Sequence, residues 1–429
     1  MASTYLSRTI SSDGNRKIMT FSAWIKRATA SATTTVFATG TGSERDMILF
    51  ESDGKLQFSR YSGSYLYILK TNRQFRDVNS WYHLMCVLDT TQGTESNRAK
   101  IYVNGVQETS LNTATYPSQD YQTNYNQNTF TQYLGQDSDG NFDFDGCMSH
   151  VHYVDGTAYT PSTFGSTDAT TGEWKINTSP SVSYGTNGFF ILKDGNSVTD
   201  QGGGSHNWTV ASGTLTKTED NPSNVFATLN ALSTPSTLSN GNTKSVYGGS
   251  GSYAIATSTL GMTTGKWYCE VKINANSNYP SIGVCTTTSI QATKLSQSDW
   301  LGNSADSYGL FTTGGNVYNS ANIVNTFGAI ATNDIIGMAL DLNSAQNTLK
   351  YYKNGSLIGT QNITTNTDGY MFAINTQSIG GGYGEFNFGN GYFGSTQISS
   401  AGTNASGIGI FEYDVPTGYT ALSTKGLNL

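Results

Sequence analysis

NDIIGMALDLNSAQNTLKYYKNGSLIGT, residues 333–360, is the stretch of this 429-residue sequence that decides the fold. It begins with an apolar run, which a short polar loop follows. Two short strands separated by Asn354-Gly355 come after the loop. Asn and Gly both accept positive φ, and a two-residue turn of this kind matches the twist of an antiparallel hairpin. The stretch therefore predicts a buried strand followed by a hairpin whose turn fixes the register.

The same turn chemistry recurs along the chain. Asp53-Gly54 separates MILFES from KLQFSRY, and Asn104-Gly105 separates AKIYV from VQET. Helical periodicity is nearly absent, and short β-branched and aromatic runs bounded by Gly, Asn and Asp recur instead. These patterns predict an all-β chain. We expect two antiparallel β-sandwich domains of jelly-roll type, joined by an ordered, turn-rich connector.

Composition excludes several function classes. Hydrophobic residues make up 36% and charged residues 12%, against about 45–50% and about 25% in average globular chains. The net charge is −7 with no long basic run, so we expect neither a nucleic-acid partner nor an anionic membrane partner. No apolar stretch is long enough to span a bilayer, and the N-terminus MASTYLSRTI lacks the apolar core of a secretion signal. We therefore expect that the chain is synthesised in the cytoplasm and does not insert into a membrane.

Four cysteines, at Cys86, Cys147, Cys269 and Cys285, are spread along the chain without a CxxC pair. Their density is far below that of disulfide scaffolds. The spacing favours four buried thiols in a protein that folds in a reducing compartment, and it is also compatible with a disulfide.

Residues 1–165 carry a set of motifs that run in a fixed order through the whole segment. The set contains WIKR (24–27), WYHLMCVLD (81–89), IYVNGV (101–106) and FDGCMSHVHYVDGTAYTPSTFG (144–165). It resembles the laminin-G-like, concanavalin A-like jelly roll. The resemblance implies a β-sandwich for this first domain.

Residues 166–235 form the predicted connector, which is rich in turn formers yet too aromatic to be a flexible linker. We expect it to pack against a neighbouring surface. Its short apolar strand, Gly-rich turn (202–204), Asn-Trp pair (207–208) and late Pro-Ser-Asn (222–224) resemble the connector between two such domains in bacteriophage structural proteins.

Residues 236–395 resemble a SPRY domain, itself a bent β-sandwich. The resemblance is carried by TGKWYCEVKIN (264–274), PSIGVC (280–285) and the 333–360 stretch, which appear in order. Residues 396–429 resemble the terminus of phage proteins with this architecture. They predict an added strand after a turn at Pro416-Thr417-Gly418.

A glycoside hydrolase is the natural enzyme hypothesis on a concanavalin A-like sandwich, and it needs two carboxylates held about 5–10 Å apart. No two glutamates stand at i, i+2, and the ExDxxE arrangement of related glucanases is absent. We therefore assign no catalytic residue and predict that the chain is not an enzyme. The nine glutamates are Glu44, Glu51, Glu95, Glu108, Glu173, Glu219, Glu270, Glu385 and Glu412.

The densest acidic cluster is the loop from Gln136 to Asp145, QDSDGNFDFD. Oxygen ligands at alternate positions, as in Asp137 to Asp145, suit calcium, and some laminin-G-like domains bind calcium at a rim loop. The loop lacks the glycine and glutamate positions of an EF-hand. A solvated hairpin tip built from turn-forming residues is the favoured interpretation, and we assign no metal ligand.

The histidines give a second candidate metal site. His150 and His152 alternate along MSHVHYV, so they are expected on one face of a strand with Cys147 on the other. We favour a packing role for them. His83 lies in a core strand and His206 in the Gly-rich connector, and no GxSxG motif accompanies either one.

Two further patterns are weak. GMTTGKW (261–267) and GNGYFG (389–394) resemble phosphate-binding loops but are predicted to be turns, because neither opens a helix that could supply an N-terminal dipole. The run YSGSYLY (61–67) exposes at least one tyrosine face by alternation, which suits sugar rings and protein partners equally. The residues that bind a ligand are left unassigned, and no cofactor is predicted.

The resemblance of the domain order, connector and tail implies a non-enzymatic virion structural protein of a tailed bacteriophage. Its role would be that of a head or tail appendage, a fibre or a decoration subunit, assembled in the bacterial cytoplasm. Expected partners are other virion proteins and further copies of the chain in a homo-oligomer. A glycan-binding adhesin that recognises a host surface glycan is the alternative, and a polysaccharide-degrading enzyme is a third hypothesis.

Overall fold

The computed structural model describes residues 4–193, 195, 197–247, 253–275, 280–286, 288, 299–377 and 382–428. The chain divides into two compact units, residues 1–217 and 218–429. Regular structure in the described residues is almost entirely antiparallel β, which confirms the predicted all-β fold class. Residues of the predicted connector are shared between the units, with 166–217 in the first and 218–235 in the second.

The first unit contains an eight-stranded sheet with the order β10-β6-β5-β4-β3-β11-β1-β16, numbered along the chain. Every neighbouring pair in it is antiparallel. Its strands are β1 (Tyr5–Thr9), β3 (Thr34–Gly40), β4 (Glu44–Phe50), β5 (Lys55–Ser62), β6 (Ser64–Gln74), β10 (Leu111–Thr115), β11 (Thr131–Leu134) and β16 (Thr209–Ser212).

A six-stranded sheet, in the order β15-β12-β2-β7-β8-β9, is the second layer of this sandwich. A separate two-stranded ribbon and two short 3-10 turns, Glu95–Asn97 and Pro161–Thr163, accompany it. The strands are β2 (Ile18–Arg27), β7 (Trp81–Asp89), β8 (Ala99–Val103), β9 (Val106–Gln107), β12 (Gly146–Asp155) and β15 (Phe189–Ile191), with β13 (Gly165–Thr167) and β14 (Trp174–Ile176) in the ribbon.

The core of the first unit lies between these two sheets. Phe37 is fully buried at its centre, 5.1 Å from the ring of Phe21 and 5.5 Å from that of Tyr125. Trp208, from the predicted connector, is buried against Phe189 at 4.9 Å. Burial of each such ring contributes about 1.5–3 kcal/mol, so this part of the connector is fixed by the core rather than floating.

The second unit has an eight-stranded sheet with the path β17-β18-β29-β20-β25-β26-β27, to which β32 adds by parallel pairing with β20. The C-terminal segment thus contributes a strand, after a turn in which Tyr419 N–H donates to the Pro416 carbonyl at 3.0 Å. The strands are β17 (Thr237–Ser239), β18 (Lys244–Val246), β20 (Lys266–Ala275), β25 (Ile335–Asp341), β26 (Thr348–Lys353), β27 (Ser356–Asn362), β29 (Tyr383–Asn387) and β32 (Thr420–Ala421).

The facing sheet of the second unit has the order β19-β28-β21-β22-β23-β24. Residues such as Ile282, Phe372 and Ile336 fill the space between the two layers. The strands are β19 (Tyr253–Thr257), β21 (Ser281–Thr286), β22 (Ser307–Phe311), β23 (Asn316–Asn319), β24 (Asn322–Thr326) and β28 (Tyr370–Gln377); β30 (Tyr392–Phe393) and β31 (Thr396–Gln397) form a ribbon, and Gly426–Asn428 is a 3-10 turn.

The hairpin turns follow the sequence signals with one difference. Asn354 and Gly355 have φ of 48° and 82°, and Asn104-Gly105 is similar, as a two-residue turn requires. At Asp53-Gly54 only the glycine has positive φ, at 84°. Gly54 N–H donates to the Glu51 carbonyl, so this hairpin has a longer loop in which glycine takes the left-handed position.

Candidate functional site

The outer face of the eight-stranded sheet in the first unit combines aromatic, amide and cationic side chains. Ile48 of β4 points into the core, so its neighbours Met47 and Leu49 point outward. Register places Ser59 beside Met47, and it places Gln57 between Leu49 and Lys70. Directly paired residues share one side of a sheet, so these side chains form one surface.

Two tyrosines stand on this surface. Tyr65, 45% exposed, makes an edge contact with Tyr61, with ring centroids 5.5 Å apart. Gln57 Nε2 donates to Ser59 Oγ at 2.9 Å and lies 3.4 Å from Tyr65 Oη. We call the set Gln57, Ser59, Tyr61, Tyr65 and Lys70 the tyrosine face. Its tyrosine edges and Lys70 reach the surface, whereas Gln57 and Ser59 are buried beneath them.

Simple alternation would put Tyr65 and Tyr67 on the same side of β6. Instead Tyr67 is fully buried in the core, and its hydroxyl lies 3.0 Å from Asp46 Oδ1. A register shift in the β5–β6 pairing explains the difference, because one extra residue reverses the side to which the following side chains point. Tyr65 is therefore the exposed tyrosine, and its contact Tyr61 on the same side is half-buried.

The acidic loop from Gln136 to Asp145 adjoins this face through Arg45. The Arg45 guanidinium lies 5.7 Å from the Tyr61 ring centroid, hydrogen-bonds Asp139 and lies 3.6 Å from Asp137 Oδ2. Asp137 Oδ1 accepts the N–H groups of Asp139 and Asn141 at 3.0 and 2.8 Å. The loop is thus organised around a buried Asp137, with an arginine beside its two leading carboxylates.

The prediction of a solvated tip is wrong for Asp137, which is fully buried. It is right for the exposed Asp139. Asp137 is buried because its carboxylate binds the backbone of its own loop, a contact that sequence spacing does not show. Among the described residues, no group of three His, Cys, Asp or Glu side chains is arranged to hold a metal ion.

His150 and His152 lie on one face of β12 as predicted, since both rings contact Phe190, with centroids 5.8 and 3.9 Å apart. A bulge lies between Ser149 and His152, and His150 has a positive φ of 48°. The bulge puts Cys147 and His152 on the same outer face, whereas the sequence predicted opposite faces. The two residues are five positions apart along the strand. His152 is buried and stacks on Phe190 with centroids 3.9 Å apart, which are the contacts of a packing residue.

His83 forms a serine–histidine pair that the sequence did not reveal. Its Nε2 lies 2.8 Å from Ser22 Oγ, in a buried position under Trp174. Trp174 Nε1–H donates to His83 Nδ1 at 3.1 Å, so the proton of the neutral ring is on Nε2 and Nε2–H donates to the serine. Burial lowers the pKa of His83 to about 3. A general base for Ser22 would need a bare Nε2, so this pair is structural.

Glu270 is a buried carboxylate of the second unit that accepts from four donors. It is buried on β20, and its two oxygens accept the backbone N–H groups of Glu412 and Tyr413 at 2.8 and 2.9 Å. Asn387 Nδ2 and the Tyr268 hydroxyl lie at 3.3 Å. Burial raises the pKa of Glu270 to about 7. The only sequence signal was a single acidic residue inside the strand KWYCEVKIN.

The remaining sequence candidates have structural roles. GMTTGKW leads into β20 through a turn closed by Trp267 Nε1–H, which donates to the Thr264 carbonyl at 2.7 Å, and GNGYFG leads into β30. The half-buried Cys147 departs from the expected burial of all four thiols, and the four cysteines, all of them described, form no disulfide. Within the described part of the chain, no helix has the length and apolarity to cross a bilayer.

Comparison with known proteins agrees with the fold of the first unit. Residues 3–163 match a laminin-G family model described as the concanavalin A-like lectin/glucanases superfamily. This confirms a concanavalin A-like domain there, and the match covers less than half of the chain. No curated protein matches the chain.

Among solved structures, the chain is similar to SPRY domains and to a pentraxin. The SPRY domain of human HERC1 is 17% identical with a TM-score of 0.31, covering 37% of this chain and 96% of its own. A second human SPRY domain is 18% identical with a TM-score of 0.28, covering 38% and 95%. The SAP-like pentraxin of Limulus polyphemus is 16% identical with a TM-score of 0.29, covering 44% and 89%.

Proposed function

We propose that this chain is a non-enzymatic structural protein of a tailed bacteriophage virion, an appendage, fibre or decoration subunit that contacts other virion proteins. One observation supports the absence of catalysis in this proposal. The buried carboxylates bind backbone N–H groups of irregular segments and so have structural roles. Asp46 accepts the N–H of Asn124 at 2.8 Å, and Glu270 accepts those of Glu412 and Tyr413. Each acid thus holds a distant stretch of its own chain against a sheet.

Further support comes from His83, whose tautomer leaves no base for Ser22. The bacteriophage part of the proposal rests on the sequence resemblance of the connector, the domain order and the C-terminal segment. A rigid, weakly charged pair of sandwiches suits assembly, because such surfaces make contacts at little desolvation cost.

Antibody labelling of purified particles in the electron microscope tests this assignment. We expect label at a fixed position that repeats with the symmetry of the head or tail. A chain that is abundant in the soluble lysate of infected cells but undetectable in purified particles would contradict the assignment.

A glycan-binding adhesin is the second candidate, and the tyrosine face favours it. Tyr65 is exposed beside the half-buried Tyr61 and Lys70, and this combination of aromatic edges with a cationic donor suits a sugar ring. The family model that matches the first unit takes its description from lectins and glucanases. This role is compatible with a place in the virion.

We expect Tyr65→Ala to weaken binding to a recognised host glycan by about five- to thirtyfold, since loss of an aromatic anchor costs about 1–2 kcal/mol. Tyr65→Phe should bind nearly as well because it keeps the ring. A glycan array followed by titration calorimetry measures both. Leu357→Ala, an equally exposed site in the other unit, is the control. An array without hits, or equal loss in Tyr65→Ala and the control, would exclude this role for the tyrosine face.

A further inference from the structure

Three aromatic rings meet on the outer face of the six-stranded sheet in the second unit. Trp300 lies in the loop before β22, Phe311 ends β22 and Tyr318 lies on β23. The ring centroid of Trp300 is 5.1 Å from that of Phe311 and 5.2 Å from that of Tyr318, and those two are 4.8 Å apart. All three side chains are half-buried. We call these three residues the aromatic trio.

The alternation of β22 and β23 fixes the direction of two of these rings. Leu310 of β22 and Val317 of β23 are fully buried between the two layers of the sandwich. Successive side chains point to opposite sides of a strand, so Phe311 and Tyr318 point away from the core. Tyr318 pairs directly with Ile323 of β24, which is 54% exposed. An aliphatic side chain therefore extends the apolar surface.

Hydrogen-bonding groups border the rings. Asn316 lies on the same side of β23 as Tyr318, and its Oδ1 accepts from Thr326 Oγ1 at 2.9 Å. Three polar atoms have no hydrogen-bond partner in the described part of the chain: Asn316 Nδ2, Tyr318 Oη and Trp300 Nε1. None of the three is buried, so all of them reach solvent. The surface thus offers free donors next to aromatic rings.

The loop before β22 is held in place by the hairpin turn between β23 and β24. Leu301 of the loop is fully buried. Ser320 N–H donates to the Ser304 carbonyl at 3.2 Å, and Ala321 N–H donates to the Gly302 carbonyl at 3.0 Å. Ser320 and Ala321 have φ of 51° and 58°, although neither is a residue that favours the left-handed region. That conformation costs about 1–2 kcal/mol per residue, and such strain concentrates at binding sites.

Charge is nearly absent from this surface, which narrows the class of ligand. From Ser307 to Asn333, 27 consecutive residues include no Asp, Glu, Lys, Arg or His. The one carboxylate beside Trp300 in the sequence, Asp299, accepts the Trp300 backbone N–H at 2.9 Å. An ionic ligand finds no counter-charge in this stretch. A neutral sugar brings C–H groups to the rings and hydroxyls to the free donors, whereas an apolar peptide side chain would leave those donors unpaired.

We propose that the aromatic trio binds a neutral saccharide, with a sugar ring packed against Trp300 and its hydroxyls bonded to Asn316 and Tyr318. This goes beyond the proposed function, which assigns no ligand to the second unit, and it does not depend on the tyrosine face. Rings that are already fixed by each other and by the loop lose little freedom when a ligand binds, so little of the contact energy is spent on ordering the site.

Titration of the full chain with neutral hexasaccharides of glucose, mannose, galactose and N-acetylglucosamine tests the proposal. We expect at least one to bind in calorimetry and to change the tryptophan fluorescence. Trp300→Ala should weaken that binding at least tenfold and remove the fluorescence change, and Trp300→Phe should weaken it less because it keeps a ring. Tyr253→Ala is the matched control, because Tyr253 is half-buried on β19, at the other edge of the same sheet.

Thermal unfolding shows whether each variant is folded. If Trp300→Ala is not, Tyr318→Phe, which removes only a hydroxyl, should still weaken binding about two- to tenfold. Binding of none of the four sugars, or equal loss in Trp300→Ala and Tyr253→Ala, would overturn the proposal. Loss in Tyr65→Ala but not in Trp300→Ala would place the sugar on the tyrosine face and overturn it too. A chain that is present in particles yet binds no sugar refutes this site and leaves the virion assignment standing.

Discussion

Replacement of Glu270 by glutamine is expected to loosen the C-terminal segment from the sheet of the second unit. The carboxylate accepts from four donors, two of them the backbone N–H groups of Glu412 and Tyr413. Glutamine keeps one oxygen and turns an NH₂ group toward the donors on the other side. At least two buried groups then lose an acceptor, at about 1–3 kcal/mol each, so we expect a loss of about 2–5 kcal/mol in the free energy of unfolding.

Hydrogen exchange of the Glu412 and Tyr413 amides, together with thermal denaturation, measures this effect. Tyr413→Phe is the control. It removes a hydroxyl from the same segment but keeps both backbone donors to Glu270, so protection of the two amides should change little. If Glu270→Gln leaves their exchange as slow as in the parent, Glu270 does not hold the C-terminal segment.

The same residue gives the second unit a pH dependence of known sign. Burial raises the pKa of Glu270 from 4.5 to about 7. The folded state therefore keeps a proton that the unfolded state has lost, so this contribution is fully present below about pH 4.5 and is lost as the pH rises through 7. The shift corresponds to about 3 kcal/mol. About 2 kcal/mol of it should be lost between pH 5 and 7, and this part of the fall in stability should be absent in Glu270→Gln.

Asp46→Asn is expected to destabilise the first unit by about 3 kcal/mol, because the buried Arg60 then keeps only the half-exposed Glu44 carboxylate, at 3.4 Å. Asp46 is fully buried and lies 2.7 Å from Arg60 Nη1, 3.0 Å from Tyr67 Oη and 2.8 Å from Asn124 N. An amide nitrogen cannot accept from any of these donors. Urea denaturation measures the change in the free energy of unfolding.

Asp53→Asn is the matched control for Asp46→Asn. Asp53 lies at the hairpin end of the same sheet and pairs with Lys55 at 2.9 Å, but its side chain is 40% exposed. Exposed pairs contribute about 0–1 kcal/mol, so the loss should be small. Similar losses of unfolding free energy in the two variants would show that the buried Asp46 contacts stabilise the fold no more than a surface ion pair does.

Local signals in the sequence predicted the fold class and two of the three hairpin turns. At Asn104-Gly105 and Asn354-Gly355 the residues of the turn themselves determine the backbone, because both adopt positive φ without help from the rest of the chain. Asp53-Gly54 predicted a hairpin correctly but not its loop. There the flanking strands, rather than the dipeptide, select the turn.

Bulges are the main reason that the candidate sites could not be predicted fully. The extra residue in β12 brings Cys147 to the same face as His152, and the shift in β6 separates Tyr65 from Tyr67. Either shift reverses the faces of a strand, yet neither leaves a pattern in the local sequence. Glu270 was missed for another reason, because its partners lie 142 and 143 residues away and belong to a segment without regular alternation.

The central claim is that the protein binds and assembles without catalysing a reaction, and a reducing-sugar assay on the surface polysaccharide of the host tests it most directly. The purified chain, incubated at micromolar concentration for hours, is expected to release no more reducing ends than buffer does. Steady release of reducing ends, abolished by an acidic-residue variant that remains folded, would contradict the claim.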